Sequence, residues 1–297
     1  MKTPSYSFKF VSISIYFWLC CAVAFLSCAQ KKQEKVESPA GYNLSAPEKH
    51  NMPETLLEIS GFAFADGNPS KIYAQQDEEG KIFTLSLGSK KYQHTKFAKD
   101  GDYEDVAIAW GQVIVLKSNG DLFSFPIDET KNEDAENVTH TKSVLPKGEY
   151  EGMYADAQQN KLYIICKECG VDKGTKQTSG FILSPQPGNL FKLMGTFNID
   201  VSTVSKLSGR KKGTFHPSAL AKHPFTGEWY LLSAINKTLM VTDSQWKIKK
   251  LYPLSLNEFN QPEGIAFDKN ANLYISNEGS DTQFGNILKF SYKAPKK

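Results

Sequence analysis

From residue 53 onward the chain is written in short runs of alternating apolar and polar residues, each bounded by Gly, Asn, Asp or Pro. Such runs predict strands joined by tight turns. Five of them open alike: Ile59-Ser60-Gly61-Phe62, Tyr103-Glu104-Asp105-Val106, Tyr150-Glu151-Gly152-Met153, Pro217-Ser218-Ala219-Leu220 and Pro262-Glu263-Gly264-Ile265. After each comes a turn and a second apolar strand; in the second copy the turn is only Trp110-Gly111. A third strand follows Gly80, Gly120 and Gly285. The openings fall at 60, 104, 151, 218 and 263, giving spacings of 44, 47, 67 and 45. A repeat of about 40–50 residues carrying four strands predicts a β-propeller. The expected fold is therefore all-β, a five-bladed β-propeller over residues 53–297. The interval of 67 is read as one blade with surplus chain at 173–179 and 201–213. A sandwich, the rival all-β architecture, does not repeat at this period.

Ahead of the repeats the pattern changes twice. Lys2 and Lys9 precede the apolar run 10–26, which ends in Phe25-Leu26-Ser27-Cys28. A basic start, an apolar stretch and a small residue before the cut describe a secretory signal peptide over residues 1–27. The cysteine after Ser27 makes the segment resemble a bacterial lipobox, with Cys28 lipidated as the first mature residue. A plain N-terminal membrane anchor is the other reading of the same run. Residues 28–52 show no apolar period and mix Pro, Ser and charges of both signs, so they are expected to form a solvated tether. Both readings place the body outside the cytoplasm, at the cell envelope, periplasmic or surface-exposed on a bacterial (outer) membrane.

Composition adds a few exclusions. The chain of 297 residues holds 35 Lys+Arg against 32 Asp+Glu, and its formal charge of +3 falls to about +1 without Lys2 and Lys9. A near-neutral body offers no basic stripe, so nucleic acid is not an expected partner. A monomer is expected, and an unidentified small ligand or envelope protein is the expected partner.

In a propeller the first strand of each blade lines the central channel, so a position repeated in all five forms a ring: Ser60, Glu104, Glu151, Ser218 and Glu263. Carboxylates converging in a narrow channel repel one another. Raised pKa values or a bound cation relieve the repulsion. Oxygen-only ligands suit a hard ion such as Ca²⁺ or Mg²⁺. Glu104, Glu151 and Glu263 are the candidate ligands, unless each merely caps backbone N–H groups of the neighbouring blade. Asp105, His216, Ser60 and Ser218 are expected to line the channel beside them. The ends of the second strands should open on the same mouth, which adds Asp77, Glu168, Asn277 and Glu278 as rim candidates, with Ser118 and Asn236 at the equivalent points.

The repeated Glu-Gly openings, the late Pro262-Glu-Gly-Ile-Ala-Phe-Asp268 and the ending Leu273-Tyr-Ile-Ser-Asn-Glu278 resemble the SdiA-regulated family. The resemblance covers residues 55–292 and implies a five-bladed propeller, distantly NHL-like, with calcium at a site in the propeller and no established catalysis. The second copy departs from the pattern, with Asp105 where Gly would follow Glu.

Other constellations weigh less. Cys166-Lys-Glu-Cys169 is a lone CxxC in an exported chain without a second ligand pair for zinc. A local disulfide between Cys166 and Cys169 is expected. Asp268-Lys-Asn270-Ala-Asn272 is read as a hairpin turn, because Leu273 stands where a calcium loop needs Gly. The chain carries no G-x-S-x-G and no H-E-x-x-H. The alternative function is a calcium-dependent hydrolase resembling propeller lactonases, esterases or phytases, with His216 as its base. A scaffold without metal is the third.

Overall fold

The computed structural model describes Met1, residues 37–208 and residues 214–295. The expected signal peptide and the lipidation site Cys28 lie outside the described residues. Twenty strands form five four-stranded antiparallel sheets. The chain enters through β1 (Glu48–Asn51). Blade 1 then contains β2 (Ile59–Phe64), β3 (Ile72–Gln76), β4 (Lys81–Leu85) and β5 (Tyr92–Lys96). Blade 2 contains β6 (Tyr103–Ala109), β7 (Gln112–Lys117), β8 (Leu122–Pro126) and β9 (Thr139–Thr141). Blade 3 has longer strands: β10 (Gly148–Asp156), β11 (Lys161–Cys169), β12 (Gln177–Gln186) and β13 (Leu190–Asp200). A short helix, α1 (Val204–Ser208), lies in the surplus chain before blade 4. Blade 4 is β14 (Ala219–Lys222), β15 (Trp229–Ser233), β16 (Thr238–Thr242) and β17 (Ile248–Pro253). Blade 5 takes β18 (Gln261–Phe267), β19 (Leu273–Glu278) and β20 (Asn286–Phe290) from the end of the chain and β1 from its beginning.

That last pairing corrects the expected tether boundary. Residues 48–51, placed above in a solvated tether, are the outer strand of blade 5, with Glu48 opposite Lys289 and Asn51 opposite Asn286. Tyr42 and Leu44 are buried as well. The N-terminal strand thus clasps the ring shut, tying the start of the chain into the last blade.

Four apolar clusters make up much of the core, and each straddles two neighbouring blades. Between blades 3 and 4, for example, Tyr163, Ile165 and Phe197 meet Leu231, Met240 and Trp246. A blade has two apolar faces and buries each only against its neighbour, so closure supplies the core.

The inner strands explain the repeated motif. Its second position is where adjacent blades come closest. A Cβ on Gly61 would lie 2.5 Å from Asp105 Oδ1, one on Gly264 2.6 Å from the Ser60 carbonyl, and one on Gly152 3.0 Å from the backbone of Ala219. Where blade 2 has Asp105 instead, the carboxylate spans the joint. Asp105 accepts the N–H of Val106 at 2.8 Å and that of Met153, in blade 3, at 2.7 Å. The Ser218 hydroxyl likewise donates to the Pro262 carbonyl at 2.8 Å, and Ser276 to the Ser60 carbonyl at 3.0 Å.

Candidate functional site

The same strands aim the glutamates. In β6, β10 and β18 the ladder to the second strand slips at the motif, skipping Glu104, Glu151 and Glu263. A β-bulge leaves one residue unpaired and re-aims its side chain. The unpaired residue is the glutamate in each case, while the residue after it packs into the joint between blades. Where that position holds a glutamate, the two motif positions therefore have separate tasks, whereas Ser60 and Ser218 at the same position are buried, and the expectations for Asp105, Ser218 and Ser60 are corrected. Asp105 and Ser218, expected to line the channel, point into the joints and are spent on backbone groups. Ser60 is buried too, its hydroxyl directed at the Glu58 carbonyl at 3.4 Å.

Glu151 acts on Glu104, Glu263 and Glu278, and Glu278, from the end of β19, acts on Glu263 as well. Burial pushes Glu104 up to about 9, with Glu151 and Asp102 adding to the rise. Burial pushes Glu263 up to about 8, with Glu151 and Glu278 contributing. Glu278 rises to about 7 through burial and the nearby Asp77 carboxylate, opposed by a hydrogen bond from Gln261. Burial also raises Glu151, but less freely, because the Lys167 ammonium sits directly on its carboxylate. Burial of Lys167 is outweighed by Glu151, Glu104 and Glu149, so its pKa is raised. Lys237, beside Glu263 and Glu278, is held lower by burial and donates to the Asn260 carbonyl.

Lys167 is the residue that sequence reasoning missed. The rim candidate in blade 3 was Glu168, one residue further on. A second register shift, between Glu149 and Tyr150, skips Lys167, so Glu168 pairs with Glu149 and is exposed, while Lys167 reaches the ring. The chain thereby places its own cation among the carboxylates. Cys166 and Cys169, which flank it, are joined by a disulfide.

The remaining candidates separate. Asp77 faces Glu278 and Glu58, is raised by burial, and has one buried carboxylate oxygen without a hydrogen bond. Asn277 is buried between strands, donating to Asn286 Oδ1 at 3.1 Å, and does not reach the mouth. His216 lies beside Lys167 and Glu149 in the wall of a cavity of about 1030 Å³ above blade 3. The Asp268 carboxylate is filled by Asn270 N–H, Asn272 N–H and the Tyr274 hydroxyl, as a hairpin turn requires.

Among the described residues no group of three or more His, Cys, Asp and Glu side chains is gathered closely enough to hold a metal ion. In this conformation the Lys167 ammonium is paired with Glu151, one of the three ring glutamates.

Three solved structures are similar to this chain, and two of them, with TM-scores above 0.5, illustrate the likeness of fold. The luciferin-regenerating enzyme aligns at 12% identity over 84% of this chain and 98% of its own, with a TM-score of 0.51. The glutaminyl cyclase of Myxococcus xanthus aligns at 13% identity over 84% and 96%, with a TM-score of 0.53. Regucalcin of Agrobacterium tumefaciens, described as a calcium-binding protein, aligns at 12% over 86% and 96%, with a TM-score of 0.49. At such identities the likeness is one of architecture alone. No curated protein matches the chain. The SdiA-regulated family model matches residues 38–281, and the chain belongs to that family.

Proposed function

We propose that the chain is an extracytoplasmic propeller, tethered to a bacterial membrane through lipid on Cys28, whose acidic mouth binds a cation and, with it, a ligand or envelope partner. One observation carries this reading: Glu104, Glu151, Glu263 and Glu278, from three blades, converge with only Lys167 and Lys237 among the described cations acting on them. Each carboxylate is buried at a cost that a bound positive charge would offset. Calcium is the metal that oxygen-only donors favour and the ion that the family resemblance implies. To bind, it has to displace the Lys167 ammonium from Glu151. The body also starts well away from this site. Residues 41–44 pack beside Ala271 and Tyr292 on the opposite face, so the tether does not begin next to the carboxylates.

Binding must release protons, because groups with pKa values of about 7 to about 9 are largely protonated at neutral pH. Calcium titrated into the full chain by calorimetry should therefore bind more tightly at pH 8.5 than at pH 6.5, and Glu151→Gln should weaken it. Affinity independent of pH, or no heat at either pH, would sink the proposal.

A further inference from the structure

We propose that the Cys166–Cys169 disulfide is an exchange site for an external dithiol, and that its opening moves the Lys167 ammonium off Glu151. The half-cystines are three residues apart in β11, with Lys167 and Glu168 between them. Their Cα atoms lie 6.0 Å from each other, whereas three residues of extended strand rise about 10 Å. A disulfide needs Cα atoms no more than about 7 Å apart. The bridge is therefore incompatible with a straight strand, and the chain arches between the two sulfurs.

The ladder of blade 3 carries the mark of that arch. In blades 1, 2 and 5 the pairing of the first strand with the second slips once, at the motif. In blade 3 it slips a second time, between Glu149 and Tyr150, and the residue skipped is Lys167. Blade 5 has the straight alternative. There Pro262 pairs with Asn277, the next rung is Gln261 with Glu278, and those two side chains bond to each other. The same rung in blade 3, beyond Tyr150 with Cys166, would be Glu149 with Lys167. The arch instead sets Glu168 opposite Glu149 and lets Lys167 reach Glu151. Gly148 belongs to the same device, because a Cβ there would collide with Cys169 Sγ.

Cys166 is wholly buried, but Cys169, Gly148 and Lys167 line the cavity of about 1030 Å³ above blade 3. A thiolate entering that cavity attacks Cys169 Sγ, forms a mixed disulfide and releases Cys166 as a thiolate, which takes up a proton. The second thiol of the reagent then displaces Cys169, and the reagent leaves as its own disulfide, having supplied both electrons. With the bridge open the arch is no longer fixed. A straightened β11 pairs Lys167 with Glu149, which already attracts it, and ends the facing of Glu149 by Glu168. Opposite charges across a ladder are stabilising and like charges are not. The consequence for calcium rests on the reading of the mouth given above: Glu151 becomes available, and the ion binds more tightly. The place of Lys167 does not rest on that reading.

The test compares the full chain as isolated, after reduction with dithiothreitol, and as Cys166→Ser with Cys169→Ser. A water-soluble carbodiimide joins an amine to a carboxylate beside it, and peptide mass spectrometry locates the amide. The oxidised chain should yield Lys167 joined to Glu151. In the reduced chain and the serine variant that product should be lost and Lys167 joined to Glu149 should replace it. Reduction of the parent chain keeps the result independent of how well the variant folds. A bridge that dithiothreitol leaves closed in the folded chain, or a Lys167–Glu151 product unchanged by opening it, overturns the proposal. Calcium titrated by calorimetry should bind at least about threefold more tightly to the reduced chain, and equally to both states of Lys167→Met. Exchange of the cross-link with no calcium bound in either state would overturn the cation reading of the mouth and uphold the hold of the bridge on Lys167.

Discussion

On the face opposite the mouth, the N-terminal segment lays Tyr42 against His223, Tyr230, Phe267 and Tyr292, and its hydroxyl donates to the Ala271 carbonyl at 2.6 Å. At the mouth, Glu104, Glu151, Glu263 and Glu278 face one another with two lysines beside them. One end of the ring is closed with aromatic packing that stabilises the fold. The other end holds carboxylates, Glu151 buried and Glu104, Glu263 and Glu278 half-buried, whose partial loss of water costs stability. Sealing both ends with apolar side chains would have been simpler, so the retained charge supports the proposal that this end meets a ligand.

The largest effect should come from the sealed face. Tyr42→Ala removes a buried ring with four aromatic neighbours and is expected to cost about 3–5 kcal/mol in denaturant unfolding, while calcium binding at the mouth is retained. A loss below 1 kcal/mol would mean that the segment is not part of the folded body.

A sharper contrast lies between two adjacent residues. Asp105 accepts two backbone N–H groups in the joint, so Asp105→Ala strands both donors and should cost about 2–3 kcal/mol. Glu104, beside it, is held up to about 9 by burial and its acidic neighbours. Glu104→Gln should cost little at pH 7 and raise the melting temperature at pH 9. If both variants lost the same stability, the separation of joint and mouth would be wrong.

Stability should also depend on pH with a definite sign. For Glu278, Glu263 and Glu104 the folded pKa lies above the unfolded one, so the folded state holds more protons and stability is lost as pH rises from about 4.5 through about 7, 8 and 9. Melting temperature should fall across this range, and Glu263→Gln should flatten the fall. Calcium should oppose it. The smallest effect is expected at Glu37, whose ion pair with Lys250 is exposed. Glu37→Gln should leave the melting temperature unchanged.

The blades were legible because each repeats the same opening and the same alternation, and an alternating strand declares which face it buries. The closing strand was not. Glu-Lys-His-Asn over residues 48–51 has no apolar alternation, and its partner β20 lies far along the chain, so nothing local reveals the pairing. The ring glutamates could be read from the motif, since Glu104, Glu151 and Glu263 hold one repeated position, although Ser60 and Ser218 at that position are buried instead. The use of Asp105 in a joint could not, because it depends on a bulge that turns neighbouring residues in different directions, and that of Ser218 could not because its partner, the Pro262 carbonyl, lies in the next blade. Lys167 was hidden for the same reason: a shift of one residue exchanged it with Glu168. A lysine beside a strand-end glutamate, next to a motif with excess carboxylate, is the signal that such bulged strands offer.

The central claim is that the mouth is a cation site in which Lys167 stands in for the ligand. Calcium titrated by calorimetry into the full chain and into Lys167→Met at pH 8 tests it most directly. The account predicts that calcium binds at about one ion per chain and at least about tenfold more tightly to Lys167→Met, with heat lost in a Glu151→Gln background. Equal affinity in the two proteins, or no binding by either, would contradict it.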